Sequence, residues 1–405
     1  MRLVVIGDVG VTEDMMHIGD EAMFEAMVTR FRERGARITG VSVAPEETAE
    51  RYGIEAVQRI GFDLSGGRAA AEARLDAVVR AAASGAGPDP EPSPSGLLAD
   101  DPAWGVIGAV READGVAVAG GGNMASNWPM HIFERRALAG IAAALGVPFV
   151  VSGQTLGPVL DEDDRGLIRE IGAIARRLGV RESASARLAG ELGIGGDVLR
   201  QSVDDASFLV DAEPAPAEPY LLVSLSTHLG GRDRAAAVTA LAHLLDDLAR
   251  RTGAVVRFHA HWGSLTDGEI RGDSVLHEEV RRAMGSPSEV VTTGDSVSAA
   301  RLARGAALLV TSRYHPAVFA VPAGVPTLGV CVDDYTRVKL TGALGNFDQD
   351  GVVSLDDVLD GSATGVAHSL WESRDNVRIR GCDASARQRV LADAWWDELH
   401  EALTS

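Results

Sequence analysis

Short apolar runs recur along this chain, and most are followed by a longer stretch with helical periodicity. Residues 3–6, 37–43, 115–119, 148–152, 220–226, 254–259, 289–292, 307–311 and 326–330 read as strands. Residues 20–33, 133–145, 165–178, 235–251 and 297–304 read as amphipathic helices. Alternation of this kind predicts an α/β protein with parallel sheets and helices on both faces. The segment 211–219 carries prolines at 214, 216 and 219, breaks both periodicities and reads as a linker. It separates an N-terminal α/β domain, 1–210, from a C-terminal one, 220–380. Residues 84–103, rich in Pro, Gly, Ser and Asp, read as a mobile surface insertion in the first domain. A final helix within 381–405 carries Trp395 and Trp396; it either packs back across the lobes or caps the second domain alone.

Composition narrows the function classes. A chain of 405 residues, 46% hydrophobic and 24% charged, is a soluble globular protein large enough for two cores. No apolar run approaches the ~18 residues of a membrane span. Asp8 interrupts the first apolar run too early for a signal peptide, so the expected location is cytoplasmic. With only Cys331 and Cys382, no disulfide framework or multi-cysteine zinc site can form. A net charge of −20 with no basic tract argues against nucleic acid or an anionic membrane as partner. A small anion is not excluded, because distant charge is screened within ~10 Å. Of 38 basic residues only Lys339 is lysine. Either it survived by chance a bias that favours arginine, or its compact ammonium is needed.

The motifs that carry chemistry stand at predicted strand ends, where parallel sheets place ligands. After the first strand comes a long loop with His17, running into Gly19-Asp20-Glu21-Ala22, a helix start with Asp20 as N-cap. Its glycines lack dinucleotide-site spacing, and the chain has no Walker A loop and no nucleophile elbow. Gly120-Gly121-Gly122-Asn123 follows another strand; it is either a tight turn or a loop whose amides face a ligand. Gly153-Gln154 and Arg181-Glu182-Ser183-Ala184-Ser185 end two more, with Ser183 or Ser185 expected to cap the next helix. Arg181 is either a surface ion pair or an anion contact. Arg313-Tyr314-His315-Pro316 follows an apolar strand and sets an Arg and a His beside a helix start, a compact anion site. Tyr335 and Lys339 lie just downstream. His259 and His261 share a face if their strand continues, and either could touch an acceptor; a metal is not expected, for want of a third ligand.

Taken together these residues resemble the polysaccharide pyruvyl transferase family. The family's Asn-x-Gly-Asp-Glu-Ala loop corresponds to His17–Ala22, and its Gly-Gly-Gly strand end to Gly120–Gly122. Its Gly-Gln-x-x-Gly-Pro segment is Gly153–Pro158, and its Arg-acid-x-x-Ser segment is Arg181–Ser185. Its Arg-Leu-His, Gly-x-Pro and Tyr-x-x-Lys-type stretches are Arg313–His315, Gly324–Pro326, and Tyr335 with Lys339. The order holds across roughly residues 1–345. His17 replaces the usual Asn and Tyr314 the usual Leu, departures that bear on the acceptor more than the donor.

The resemblance implies two Rossmann-like domains facing across a cleft, similar to two-lobed GT-B-type glycosyltransferases. It implies transfer of the enolpyruvyl group of phosphoenolpyruvate to a sugar or sugar-containing acceptor, forming a pyruvate ketal, with no metal or nucleotide cofactor. Arg181, Arg313 and Lys339 would hold the donor. His315 would be the acid–base group, and Asp20 or Glu21 the base. His17, Gly121, Gly122, Asn123, Gln154, Tyr314, Tyr335 and His261 would line the substrate site. A small sugar, a lipid-linked sugar and a specialised-metabolite intermediate are open as acceptors, as is a homo-oligomer. Two other readings share the architecture: a nucleotide-sugar glycosyltransferase or epimerase, and a non-enzymatic sugar- or phosphate-binding protein.

Overall fold

The computed structural model describes residues 1–85, 87, 96–211 and 218–405; most of the linker and much of the insertion expected at 84–103 lie outside them. The chain divides into two compact units. The first comprises Met1–Val11, Met23–Asp205 and Ala392–Ser405; the second comprises Thr12–Ala22 and Ala206–Leu391.

The early strands are β1 (Arg2–Ile6), β2 (Met15–His17), β3 (Arg37–Ser42), β4 (Glu55–Gln58), β5 (Gly115–Val118), β6 (Gly121–Met124), β7 (Phe149–Leu156), β8 (Arg177–Val180) and β9 (Leu199–Gln201). All but β2 form a parallel sheet in the first unit, ordered β4-β3-β1-β5-β7-β8-β9 with β6 beside β7. The later strands are β10 (Tyr220–Ser224), β11 (Val255–His259), β12 (Trp262–Ser264), β13 (Ser288–Val291), β14 (Leu308–Thr311), β15 (Thr327–Cys331) and β16 (Val352–Ser354). The second unit's sheet is also parallel, ordered β13-β11-β10-β14-β15-β16. In both sheets the direction of winding reverses beside the first strand, between β1 and β5 and between β10 and β14. Crevices at such points, outside the carboxyl ends of the strands, are where open α/β sheets bind ligands.

Burial on both faces explains why the strands are apolar rather than alternating. All eight residues of β7 are buried. One face of the first sheet packs on the helices Arg68–Ala83, Ala103–Arg111, Pro129–Leu145 and Glu162–Ile174. Its other face packs Phe24 and Phe31 against Trp395, Trp396, Leu399 and Leu403 of the last helix, Arg374–Thr404. Trp395 lies so close over Gly179 that a Cβ there would stand 2.5 Å from the indole, while its Nε1 donates to Ser152 Oγ at 2.9 Å. In the second unit Leu241, Leu245 and Leu248 of the helix Arg234–Thr252 meet Val223, Val256 and Val310 of the sheet.

Three local expectations need correction. The helix expected at 165–178 ends at Ile174, and 177–180 is β8, because the Arg176 N–H is taken by the Phe149 carbonyl of β7. Asp20 is not an N-cap; the helix starts at Ile18, whose N–H donates to His261 O, and Asp20 sits in its first turn. Neither Ser183 nor Ser185 caps the helix Ser183–Glu191; Glu182 holds the cap position. Ser185 Oγ donates to the Glu182 carboxylate and accepts from the Leu156 N–H.

The first unit also encloses a carboxyl group. Asp205 accepts from Ser152 Oγ at 2.7 Å and from Gly120 N at 3.0 Å. Gly120 and Gly153 make room for it: a Cβ on either would come within 3.1 Å of its carboxylate. Burial pushes this carboxyl up to about 7, with neighbouring Asp204 adding to the rise and the two hydrogen bonds opposing it. A folded-state value above the ordinary 3.8 makes folding take up a proton, so this group's contribution to stability falls as pH rises from about 4 to about 7. Urea unfolding across that range should therefore show a downward slope, of at most about 1.4 kcal/mol per pH unit, that Asp205→Asn removes. Identical slopes in the two proteins would show that Asp205 ionises normally.

Candidate active site

The second unit gathers most of the residues singled out in the sequence, beyond the carboxyl ends of β11, β14 and β15 and at the junction of β2 with the helix that follows it. The organising element is a short antiparallel pair. β2 pairs with β12, setting His17 opposite Trp262, Met16 opposite Gly263 and Met15 opposite Ser264. Leu265 N–H donates to Asp14 O at 2.8 Å, and Ile18 N–H to His261 O at 3.0 Å. The loop that begins at Thr12 is thus hydrogen-bonded to the segment after β11. His17, the last residue of β2, holds Nδ1 3.0 Å from the carboxylate of Asp20 in the first helical turn, where Glu21 is buried.

Gly19 explains its own identity. A Cβ on it would lie 1.8 Å from Nδ1 and 2.4 Å from Cγ of His315, so the imidazole rests directly on the helix backbone. His315 is buried, edge-on to Tyr314 at 5.0 Å between centroids and 6.2 Å from Phe319. Phe319 also touches His261 at 5.8 Å, and His261 meets His259 edge-on at 5.2 Å. Burial pushes the His259 and His277 rings down to about 4, and His261 well below the usual imidazole range. These rings are therefore uncharged at neutral pH. His277 Nε2 accepts the Leu225 N–H at 2.8 Å, which fixes its tautomer. Neither ring nitrogen of His261 has a hydrogen-bond partner among the described residues, although the side chain is 3% exposed. Among those residues no group of three or more His, Cys, Asp or Glu side chains is placed to hold a metal ion.

Arg313 is oriented by Asp273, a residue the sequence reading did not single out. The fully buried carboxylate accepts from Arg313 Nε at 2.8 Å and from Nη2, and also from the Trp262 N–H at 3.0 Å. This fixes the guanidinium plane and leaves Nη1 outside the pair. Lys339 stands on two aromatic faces, 4.9 Å from the Tyr314 centroid and 4.6 Å from that of Tyr335, and donates to Tyr335 Oη at 3.0 Å. His17, Asp20, Glu21, His261, Arg313, Tyr314, His315, Tyr335 and Lys339 are thus brought into one unit, in which Gly19, Phe319 and Asp273 join several of them.

The remaining candidates belong to the first unit. Arg181 is fully buried; its Nη1 pairs with Asp204 at 2.6 Å and its Nε donates to Thr155 Oγ1 at 2.8 Å. Gln154, also buried, donates to the Ala119 and Ser152 carbonyls. Gly121 and Gly122 are buried in β6, and Asn123 Nδ2 donates to Asp8. The sequence signals for Asp8 and Asp273 were weak, since each is one of 58 acids.

The contact at Gly19 yields a direct expectation. Gly19→Ala should displace the His315 ring, at a cost of about 1–3 kcal/mol in stability for the overpacking. Turnover should fall as far as it does in His315→Gln. Steady-state kinetics of the folded variant at the wild-type rate would show that the ring's seat is irrelevant to activity.

A model of the family described as polysaccharide pyruvyl transferase matches residues 17–334. No curated protein matches the chain. Among solved structures, S. aureus MnaA in complex with UDP is 11% identical, covering 96% of this chain and 94% of its own, with a TM-score of 0.58. The calicheamicin glycosyltransferase CalG4 is 15% identical over 99% and 98% of the two chains, with a TM-score of 0.54. The UDP-GlcNAc 2-epimerase of Neisseria meningitidis, bound to UDP-GlcNAc, is 8% identical over 96% and 99%, also at 0.54. At such identities the likeness is one of fold: paired Rossmann-like units of the two-lobed GT-B type. The family match runs from His17 at the end of β2 to Asp334 beyond β15 and so takes in most of the chain, which belongs to the polysaccharide pyruvyl transferase family.

Proposed function

We propose that the protein transfers the enolpyruvyl group of phosphoenolpyruvate to two hydroxyls of a sugar or sugar-containing acceptor, giving a cyclic pyruvate ketal and inorganic phosphate. The observation that carries this reading is the grouping of Arg313, Lys339 and His315 in one unit of a pyruvyl transferase family member. Asp273 aims the guanidinium and Gly19 seats the imidazole. Arg313, through Nη1, and Lys339 bind the donor's carboxylate and phosphate. His315 protonates the methylene carbon, which becomes the methyl group, and positive charge develops at C2. One acceptor hydroxyl adds there and gives up its proton, with Asp20 the candidate base. The C2–O bond to phosphate then breaks, and the second hydroxyl closes the ring with loss of its proton. The neutral His261, with both nitrogens available, offers a hydrogen bond to the substrate. Arg181 is committed to Asp204, so the donor is assigned to the second unit's cations.

The reaction so written needs no metal or nucleotide cofactor. No described helix is long and apolar enough to cross a membrane, and a cytoplasmic location with a soluble acceptor or the exposed head of a lipid-linked one fits the reading. Titration of thermal stability with phosphoenolpyruvate, beside UDP- and GDP-sugars, separates this function from sugar-nucleotide chemistry. A donor at about 100 times its dissociation constant stabilises by about 2.7 kcal/mol.

Kinetics should divide the roles. His315→Gln should lose about 10²–10⁴-fold in turnover while keeping donor affinity, whereas Arg313→Ala should chiefly weaken donor binding. Normal turnover in His315→Gln would move the acid elsewhere, to His17, His259, His261 or the Asp20–Glu21 pair.

Lys339→Arg should also be harmful. A planar guanidinium cannot occupy the two-tyrosine seat as a compact ammonium does. Wild-type donor affinity and turnover in that variant would make the lone lysine an accident of composition.

A further inference from the structure

The first unit has a cluster of its own at its sheet's point of reversal. Asp8 follows β1 and Asn123 lies in β6, just after β5, and the Asn123 amide donates to Asp8 Oδ2. Arg135 Nη2 donates to the same oxygen at 2.6 Å, and His131 Nδ1 lies 2.7 Å from Oδ1. Burial alone would raise the Asp8 carboxyl, but the Arg135 guanidinium and the His131 ring reverse this and hold it far below the usual carboxylate range. A cavity of about 150 Å³ opens beside it, lined by Asp8, Val43, Arg59, Phe62, Met130 and His131 among others.

The chemistry of this pocket selects against ions. The Asp8 charge is matched by the buried Arg135, and the other carboxyl lining the cavity, Glu134, accepts the Ile60 and Gly61 N–H groups and faces the Arg59 charge, so neither a cation nor an anion meets an uncompensated partner. A carboxylate has about four acceptor positions. Three are used here, one on Oδ1 and two on Oδ2, which leaves a place on Oδ1 for a hydroxyl donor. Arg59 can donate to hydroxyl oxygens, and Phe62 and Met130 supply apolar surface for the C–H face of a ring. The volume is that of about five liquid waters, roughly a single sugar ring.

We propose that this pocket, lying wholly within the first unit, binds a neutral sugar ring, with Asp8 accepting from a ring hydroxyl. Naming that sugar as the acceptor rests on the pyruvyl-transfer reading; the pocket's selectivity does not. The competing reading is that Asp8 only anchors Arg135 and ties β1 to the helix Pro129–Leu145.

Saturation-transfer NMR on the full chain tests this, with the methyl glycosides of galactose, glucose, mannose and N-acetylglucosamine as probes. Wild type should transfer saturation to at least one glycoside. Asp8→Asn should weaken that binding at least tenfold, and Arg59→Ala roughly threefold to tenfold. Among the described residues Arg59 makes no hydrogen bond to Asp8 and its charge acts on Glu134 instead, so Arg59→Ala decides the matter if Asp8→Asn fails to fold. Absence of transfer to all four glycosides overturns the proposal. So does undiminished binding in Arg59→Ala, the result expected of a purely structural Asp8. Phosphoenolpyruvate titration of the same proteins keeps the two readings apart. A wild type that ignores phosphoenolpyruvate while its glycoside binding follows Asp8 loses the donor assignment and keeps the sugar pocket.

Discussion

Everything in the second unit's site depends on three residue pairs between Met15–His17 and Trp262–Ser264. This two-stranded ribbon would be marginal by itself. It persists because the Leu265 and Ile18 amides extend it at both ends and because Trp262 N–H is also held by Asp273. From it follow the start of the helix at Ile18, the contact of Gly19 with His315 and the pairing of Asp20 with His17. The same Asp273 that steadies Trp262 fixes Arg313, so backbone register and side-chain aim share one buried carboxylate. Removing one member of such a buried pair typically costs 3–5 kcal/mol, because the other charge is left uncompensated.

The chain handles buried charge in three ways. Arg181 with Asp204 and Arg135 with Asp8 are paired outright. Asp205 is held by hydrogen bonds and by a raised affinity for its proton. His259, His261 and His277 are kept neutral by burial. In a chain of formal charge −20, the proposed site for an anionic donor rests on two local cations, Arg313 and Lys339. The glycine-rich strand ends serve this arrangement too. Gly120 and Gly153 admit the Asp205 carboxylate, where the sequence favoured a ligand-facing loop over a tight turn at Gly120–Gly122.

The parallel-sheet architecture was legible because β5, β7, β10 and β14 are buried along their whole length and each carries an apolar run, such as Phe149–Val151 or Leu308–Val310, that marks it. The site residues of the second unit were legible where a scarce residue type met a strand end, as with Lys339, Tyr335 and His315. β2 was not legible. Three residues carry too little periodicity, and their partner lies some 245 residues away in sequence. Arg181 shows the same limit: its position at a strand end was readable, but Asp204, which consumes its charge, follows 23 residues later with nothing local to mark it. The Asp20 cap failed because a distant carbonyl, that of His261, supplies what a local side chain usually does.

Each unit is completed by a segment remote in sequence from the rest of it. The first unit's core needs Trp395, Trp396, Leu399 and Leu403, and the second unit's site needs Met15–His17. A nascent chain makes the first unit's strands early but cannot cover that face of its sheet until the last of these residues has been made. Domains usually fold in order of synthesis. Here the first unit's sheet, faced early by Phe24 and Phe31, keeps part of that apolar face uncovered until the chain's last residues are made, so the first unit cannot be completed before the second has been synthesised.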